Sequence, residues 1–160
     1  MRVQISLGTQ FNLNMAKKNL ILISGAVIFK DYRGKRTFLL VKSKEEDKWE
    51  LPKVTVRKGE SSVRAAIRMM GESGGINAKV LEEAGRATSS TAINGKTIPQ
   101  KYYYYLMIQK SAGEAVGFLE PKWFEYGKAY KSLFLKRERD IFKNGKEVLK
   151  KWERENKKKN

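Results

Sequence analysis

The sequence predicts an α/β (α+β) protein with a single domain, and three observations carry this prediction. Runs rich in β-branched residues and segments with helical periodicity both occur along the chain. At 160 residues, the chain is long enough for one domain with its own core. Its apolar fraction of 41% is that of a globular protein. We expect the domain to span residues 19–155, between an N-terminal extension at 1–18, read as an edge strand or as disordered, and a basic tail at 156–160.

The strands are predicted from β-branched runs and turn residues. Residues 19–30 (NLILISGAVIFK) are typical of a buried strand, with a turn at 31–34 and a returning strand at 37–41. Asn94-Gly95 is the strongest hairpin signal of the chain. A charged loop is expected at 42–48, further strands at 78–81, 86–93 and 101–109, and a loop at 111–117.

The first helix is predicted at 62–70. Apolar residues recur there at the spacing of one helical face, Ser61 is a suitable N-cap, and glycines follow as stop signals at Gly71, Gly74 and Gly75. A C-terminal helical region is expected to begin at 121–124. It would contain a short helix at 125–132 and a longer one at 136–155, which Asn144-Gly145 would bend or split.

Four consecutive tyrosines, Tyr102 to Tyr105, allow two interpretations. Tyrosine is a good strand former, and in a strand alternate rings face the core and the solvent. Aromatic rings beside lysines also stack on the bases of single-stranded nucleic acids. The first interpretation is the one that we favour.

Two bulk properties restrict the possible chemistry. The chain has no cysteine and no histidine, which excludes disulfides, thiolate or imidazole metal ligands and the usual general base. Any metal site would use oxygen ligands, which suit Mg²⁺ or Mn²⁺. The net charge of +17 favours polyanionic partners such as RNA, DNA, nucleotides or acidic membranes, although a general lysine bias is the alternative explanation.

The sequence does not predict a membrane protein. The longest apolar run, residues 20–29, is about half the length that a bilayer requires. The N-terminus lacks the three regions of a secretory signal, so we expect a cytoplasmic protein without a membrane partner.

The order of these elements resembles that of the Nudix hydrolase family. The resemblance rests on the segments WELPK (49–53), GE (59–60) and AAIR (65–68), and extends over about 20–152. Within the family, the sequence most resembles the branch of small dinucleoside tetraphosphate hydrolases. It implies a mixed β-sheet sandwiched between helices and hydrolysis of nucleoside diphosphate derivatives with Mg²⁺ or Mn²⁺.

The family motif, G-x5-E-x7-R-E-U-x-E-E-x-G-U with U a bulky aliphatic residue, fits without a gap but is degenerate. The resemblance implies that three glutamates of this motif hold divalent cations, and here they correspond to Met69, Glu72 and Ser73. Only Glu72 remains as the implied catalytic metal ligand, with Glu60 as a supporting one. The other motif positions are Val54 for the first glycine, Arg68 for the arginine and Gly75-Ile76 for the ending.

Losing two anionic ligands weakens magnesium binding, while the nearby cations remain. We expect phosphate binding by Lys53, Arg57, Lys58, Arg64 and Arg68, although an ordinary solvated surface would also contain such residues. Arg68 is also expected to order the motif loop. The hypothesis is a Nudix-fold protein that is weak or inactive as a hydrolase and that binds nucleotide phosphates or RNA through a basic surface.

Two alternatives remain from the sequence. The first is an active Mg²⁺- or Mn²⁺-dependent hydrolase whose ligands are Glu72, Glu60 and a later carboxylate, with Glu114 or Glu120 as candidates. The second is a basic structural subunit of a ribonucleoprotein.

Overall fold

A computed structural model of the chain describes residues 20–43, 47–74, 77–111 and 121–157. In these ranges, seven strands form one mixed sheet in the order β3-β2-β1-β6-β5, with β4 paired to β1 and β7 paired to β2. The strands are β1 (Ile21–Tyr32), β2 (Lys35–Lys42), β3 (Trp49–Glu50), β4 (Lys53–Thr55), β5 (Asn77–Ile93), β6 (Lys96–Ser111) and β7 (Lys122–Phe124). The helices are α1 (Ser62–Gly74), α2 (Tyr126–Ser132) and α3 (Lys136–Lys157). None of these helices is both long and apolar enough to cross a bilayer.

Strand β1 is the centre of the sheet. It runs parallel to β6, from the pair Ile21 and Gln100 to the pair Phe29 and Ile108, and antiparallel to β2. Its residues 26–29 are all buried, as expected of a strand that is covered on both faces.

The two faces of the sheet are covered by different helices. Ala66, Met69 and Met70 of α1 pack against Ala26 and Ile28 on one face. Helices α2 and α3 close the other face with a larger cluster around Phe29, Phe38, Tyr104 and Phe142. The predicted sheet between helices is therefore confirmed.

The predicted hairpin at Asn94-Gly95 is confirmed, but its first strand differs from the prediction. Residues 78–81 and 86–93 belong to one strand, β5. Irregularities between Val80 and Glu82 and between Glu83 and Gly85 shift the register but do not end the ladder with β6. The turn has φ angles of 52° at Asn94 and 78° at Gly95, which these residues adopt more easily than others.

Three predictions from glycine and proline were wrong. Helix α1 continues through Gly71, since its packed inward face outweighs the propensity of one exposed glycine, and ends at Gly74, the second of the predicted stop signals. Residues 122–124 form strand β7 against β2 rather than the start of a helix. Helix α3 is not split at Gly145 but runs on through it, and a Cβ there would lie 3.3 Å from Val27 Cγ1, so the missing side chain permits close packing.

The tyrosines alternate as expected. Tyr102 and Tyr104 are buried on the α3 side, whereas Tyr103 and Tyr105 are half-buried on the α1 side. The predictions for residues 1–18, for the loop after Ser111 and for the end of the tail fall outside the described residues.

The close approach of β1 to Tyr104 generates a stability prediction. A Cβ added at Gly25 would lie 2.5 Å from Tyr104 Cδ2, and this fully buried ring has no room to move. We expect Gly25→Ala to lower the free energy of unfolding by about 1–3 kcal/mol in urea denaturation.

Gly71→Ala is the matched control. A Cβ at this helical position would meet no atom of the described residues within 4 Å. The variant should gain about 0.5–1 kcal/mol, because alanine is the better helix former. Equal effects at the two glycines would contradict the packing at Gly25.

Candidate functional site

The motif loop between β4 and α1 is closed by one ion pair. Arg68 donates from Nε to Glu60 Oε2 at 2.8 Å and from Nη2 to Glu60 Oε1 at 3.0 Å. Glu60 Oε1 also accepts from the Arg57 backbone N–H at 3.0 Å. Arg68 donates further to the Thr55 carbonyl at 3.2 Å, so that it orders the loop backbone as expected. These bonds fix both ends of the loop.

The beginning of α1 is fixed by hydroxyl groups. Ser61 Oγ accepts from the Arg64 backbone N–H at 3.2 Å, which confirms the predicted N-cap. The buried Ser24 of β1 donates to the Ser62 carbonyl at 2.6 Å, and Ser62 shares a short hydrogen bond with the Tyr105 hydroxyl. The helix therefore leaves the loop at a fixed position on the sheet.

Both surviving motif glutamates are engaged by arginine. The paired Arg68 guanidinium lowers the pKa of Glu60 from its ordinary 4.5 to about 2. Glu72 is exposed, and its Oε1 lies 3.4 Å from Arg68 Nη1 and 3.6 Å from Arg57 Nη2. A cation approaching either carboxylate would compete with a guanidinium that is already in place.

The residues at the other two metal-ligand positions do not fit Mg²⁺ or Mn²⁺. Met69 is 2% exposed and packs in the apolar cluster beneath α1, and a thioether is a poor ligand for hard cations. Ser73 is half-buried and brings no charge. Within the described ranges, no group of three or more acidic residues is placed to hold a metal ion. Glu114 and Glu120 lie outside these ranges.

The cations of the motif border a groove on the outer side of α1. It is open, has a volume of about 820 Å³, and has Val63 and the 48% exposed Ile67 among its lining residues. Its polar lining consists of Arg57, Lys58, Gly59, Glu60, Arg64 and Arg68. The groove therefore combines positive charge with an apolar patch, and it lies on the opposite side of the helix from Met69.

Lys53 lies apart from this groove. Its ammonium group donates to Glu138 Oε2 at 2.8 Å and to the Leu51 carbonyl at 3.1 Å, and lies 3.3 Å from Glu50 Oε1. Burial raises the pKa of Glu50. Of the five predicted phosphate-binding residues, the structure brings four together at the groove and separates Lys53 from them.

Glu138 is a residue that the sequence did not indicate. It is fully buried at the start of α3, and its carboxylate accepts from the Leu51 backbone N–H at 2.9 Å and from the Tyr104 hydroxyl at 2.7 Å. Burial, reinforced by the Glu138 charge, raises the pKa of Tyr104. The run KRERD, in which Glu138 lies, resembles any solvated charged helix.

The Glu60 pair predicts an acid-sensitive loop. Because its folded pKa lies below the unfolded one, the pair stabilises the fold fully above pH 4.5 and loses this contribution as the pH falls toward about 2. We expect Glu60→Gln to be less stable than the parent chain at neutral pH and to lose less stability between these pH values in urea unfolding. Glu147→Gln, at an exposed carboxylate 3.7 Å from Lys150, is the control and should keep the parental slope. A parental slope in Glu60→Gln would contradict the pair.

Solved structures support the same fold at low sequence identity. The Ap4A hydrolase of C. elegans in a binary complex superposes with a TM-score of 0.62 at 24% identity, over 81% of this chain and 97% of that one. The NUDIX domain of Shewanella oneidensis NrtR complexed with ADP ribose has a TM-score of 0.62 at 17% identity, over 81% of this chain and 88% of that one. The E. coli ORF135 protein has a TM-score of 0.60 at 19% identity, over 78% of this chain and 87% of that one.

The family itself is shown by the sequence model of the NUDIX domain, which matches residues 22–144. No curated protein matches the chain significantly. The match covers more than half of the chain and includes the loop, α1, the hairpin and the start of α3. This chain therefore belongs to the Nudix family.

Proposed function

We propose that this Nudix domain binds nucleotide phosphates or RNA through its basic surface and has little or no metal-dependent hydrolase activity. The observation that carries the proposal is the burial of Met69 in the apolar cluster beneath α1, at a position where the family places a metal-binding glutamate. Electrostatic stabilisation by a divalent ion and its bound water is the basis of metal-assisted phosphoryl displacement. Without that ligand, the described residues favour direct anion binding over turnover.

The groove beside α1 supplies the chemistry for a nucleotide. Guanidinium groups bind phosphate oxygens through paired hydrogen bonds, and Arg57 and Arg64 line the same groove as Lys58. Val63 and Ile67 offer apolar contact for a base or sugar. Lys53 and Arg68 support binding indirectly, since they hold the two ends of the loop that carries Arg57.

The relatives suggest which probes to use. One similar structure is named as an Ap4A hydrolase and another as a complex with ADP ribose. We therefore choose Ap4A and ADP-ribose as test ligands for this chain.

We expect both probes to bind in a salt-dependent manner and to remain intact when Mg²⁺ or Mn²⁺ is added. The double variant Arg57→Gln, Arg64→Gln should lose about a hundredfold or more in affinity by calorimetry, because it removes two charged hydrogen bonds of roughly 1.5–3 kcal/mol each. The double variant Lys136→Gln, Lys143→Gln, at two exposed positions of α3, is the charge-matched control and should bind like the parent chain. Binding that is indifferent to the double variant would overturn the groove as the site.

The competing function is a metal-dependent pyrophosphohydrolase, which family membership favours. In that case, Mg²⁺ or Mn²⁺ would produce cleaved nucleotide, and Glu72→Gln would abolish the cleavage. Glu60 would be the second ligand, and a carboxylate such as Glu114 or Glu120 the third. Co-purification of ribosomal particles without nucleotide affinity would instead favour the structural subunit.

Because Met69 is buried, we expect the glutamate of the family motif to destabilise this chain. Met69→Glu places a carboxylate among apolar side chains and should destabilise the fold by about 2–4 kcal/mol at neutral pH. Met69→Leu is the matched control and should cost less than about 1.5 kcal/mol. Urea denaturation measures both variants.

Adding Mn²⁺ to the double variant Met69→Glu, Ser73→Glu tests whether the geometry of a metal site persists. A rise in the melting temperature, together with new turnover, would identify a decayed metal site whose geometry persists. A melting temperature that does not change with Mn²⁺ would show that the packing around α1 no longer leaves room for the cation.

A further inference from the structure

Two hairpin turns of this protein have the same φ angles but different side chains. The Tyr32 turn (residues 32–35) joins β1 to β2, and the Asn94 turn (residues 93–96) joins β5 to β6. In both turns the two central residues have φ angles of 52° and 78°. The Asn94 turn uses Asn-Gly, which suits these angles, whereas the Tyr32 turn places Arg33 at the first position. The left-handed conformation costs an ordinary side chain roughly 1 kcal/mol or more.

The Tyr32 turn also exposes an aromatic ring with a cation above it. Tyr32 is 63% exposed, and the Arg33 guanidinium carbon lies 5.1 Å from the centroid of its ring. Lys35, which pairs with Tyr32 across the hairpin, has a side chain that is 76% exposed. An exposed cation–π pair contributes little to folding. Folding stability therefore does not explain why an arginine and an exposed tyrosine occupy this turn.

The turn is continuous with a basic surface on α3. Arg36, next to the turn, donates to Glu153 of α3 at 2.8 Å and to Asp31 at 2.7 Å. Arg36 offsets one of these two negative charges, and Lys35 Nζ lies 3.6 Å from Glu125 Oε1. The cations of the turn and of α3 still outnumber these carboxylates. The exposed cations of the last turns of α3 lie beside Glu153 along the helix: Lys150, Arg154 and Lys157.

We propose that the Tyr32 turn, together with the end of α3, is a binding site for single-stranded nucleic acid. An unpaired base stacks on Tyr32 and Arg33, while Lys35 and the α3 cations contact the phosphates on either side. Stacking requires a base whose face is free, so a duplex binds less well than the single strand. This site is distinct from the groove beside α1, and it rests only on the RNA part of the proposed function.

The two turns provide a matched experiment. Fluorescence anisotropy would follow labelled single-stranded RNA and DNA oligonucleotides, and a duplex of the same sequence, at two salt concentrations. Tyr32→Ala should weaken single-strand binding roughly tenfold without lowering the melting temperature, since the ring is exposed. Ile93→Ala, at the equivalent exposed position of the Asn94 turn, should leave the affinity unchanged.

Arg33→Asn separates binding from folding. It creates Asn-Gly in the Tyr32 turn, so the variant should be more stable than the parent chain in urea. At the same time, its affinity for the single strand should fall, because the guanidinium that stacks with the base is lost. Lys35→Gln, which removes a proposed phosphate contact, should decrease the salt dependence of binding by about 0.7 in slope. Lys96→Gln removes one cation from the Asn94 turn and is the charge control.

Several results would overturn this site. These are equal losses from the Asn94-turn variants, equal affinity for the duplex, or binding to phosphatidylserine vesicles without binding to oligonucleotides. Loss of oligonucleotide binding in the double variant Arg57→Gln, Arg64→Gln alone would assign RNA to the groove instead. Binding of ADP-ribose tests the groove separately, so the result for one site does not decide the other.

Discussion

A fully buried carboxylate connects the sheet, the last helix and the motif loop. Glu138 brings together the Tyr104 hydroxyl from β6, the Leu51 backbone N–H and the Lys53 ammonium group around its two oxygens. A buried carboxylate that loses its cation costs several kcal/mol, so these partners hold one another in place. The start of β4 is thereby fixed against α3, on the other side of the sheet from α1. The position of the motif loop is therefore set by the core rather than by a ligand.

The far end of the loop is fixed by the same kind of interaction. Arg68 holds Glu60 with two hydrogen bonds, and the Thr55 carbonyl with a third. Glu138 is paired to Lys53 and Glu60 is paired to Arg68, so these two carboxylates are committed to the fold. The groove is also lined by Arg57, Lys58 and Arg64, and Arg57 Nη2 lies 3.6 Å from Glu72 Oε1. A loop that the fold already holds in place needs little reorganisation to receive a ligand, which lowers the cost of binding.

The sequence predicted the architecture well because local patterns coincide with the packing. Residues 19–30 read as a buried strand, and β1 is indeed covered on both faces. The errors came from positions where tertiary contacts outweigh local propensity, as at Gly71 within α1 and at Gly145 against Val27. At the site, Arg64 and Arg68 share a face because they lie four residues apart in α1, and Arg57 and Lys58 lie in the loop just before this helix. The roles of Lys53 and Glu138 could not be predicted in this way, since their contact joins residues 85 positions apart.

The burial of Met69 also changes what the site requires in order to fold. This position faces the sheet, so a glutamate there would be removed from water and would need a cation to offset its charge. A methionine packs at the same position without any cation, and its flexible thioether adapts to Ala26, Ile28 and Met107. Helix α1 can therefore keep the register of the family motif while its stability is independent of divalent metal. The same methionine adds apolar contacts and carries no negative charge, so the packing of α1 and the phosphate binding that we propose make compatible demands on this position.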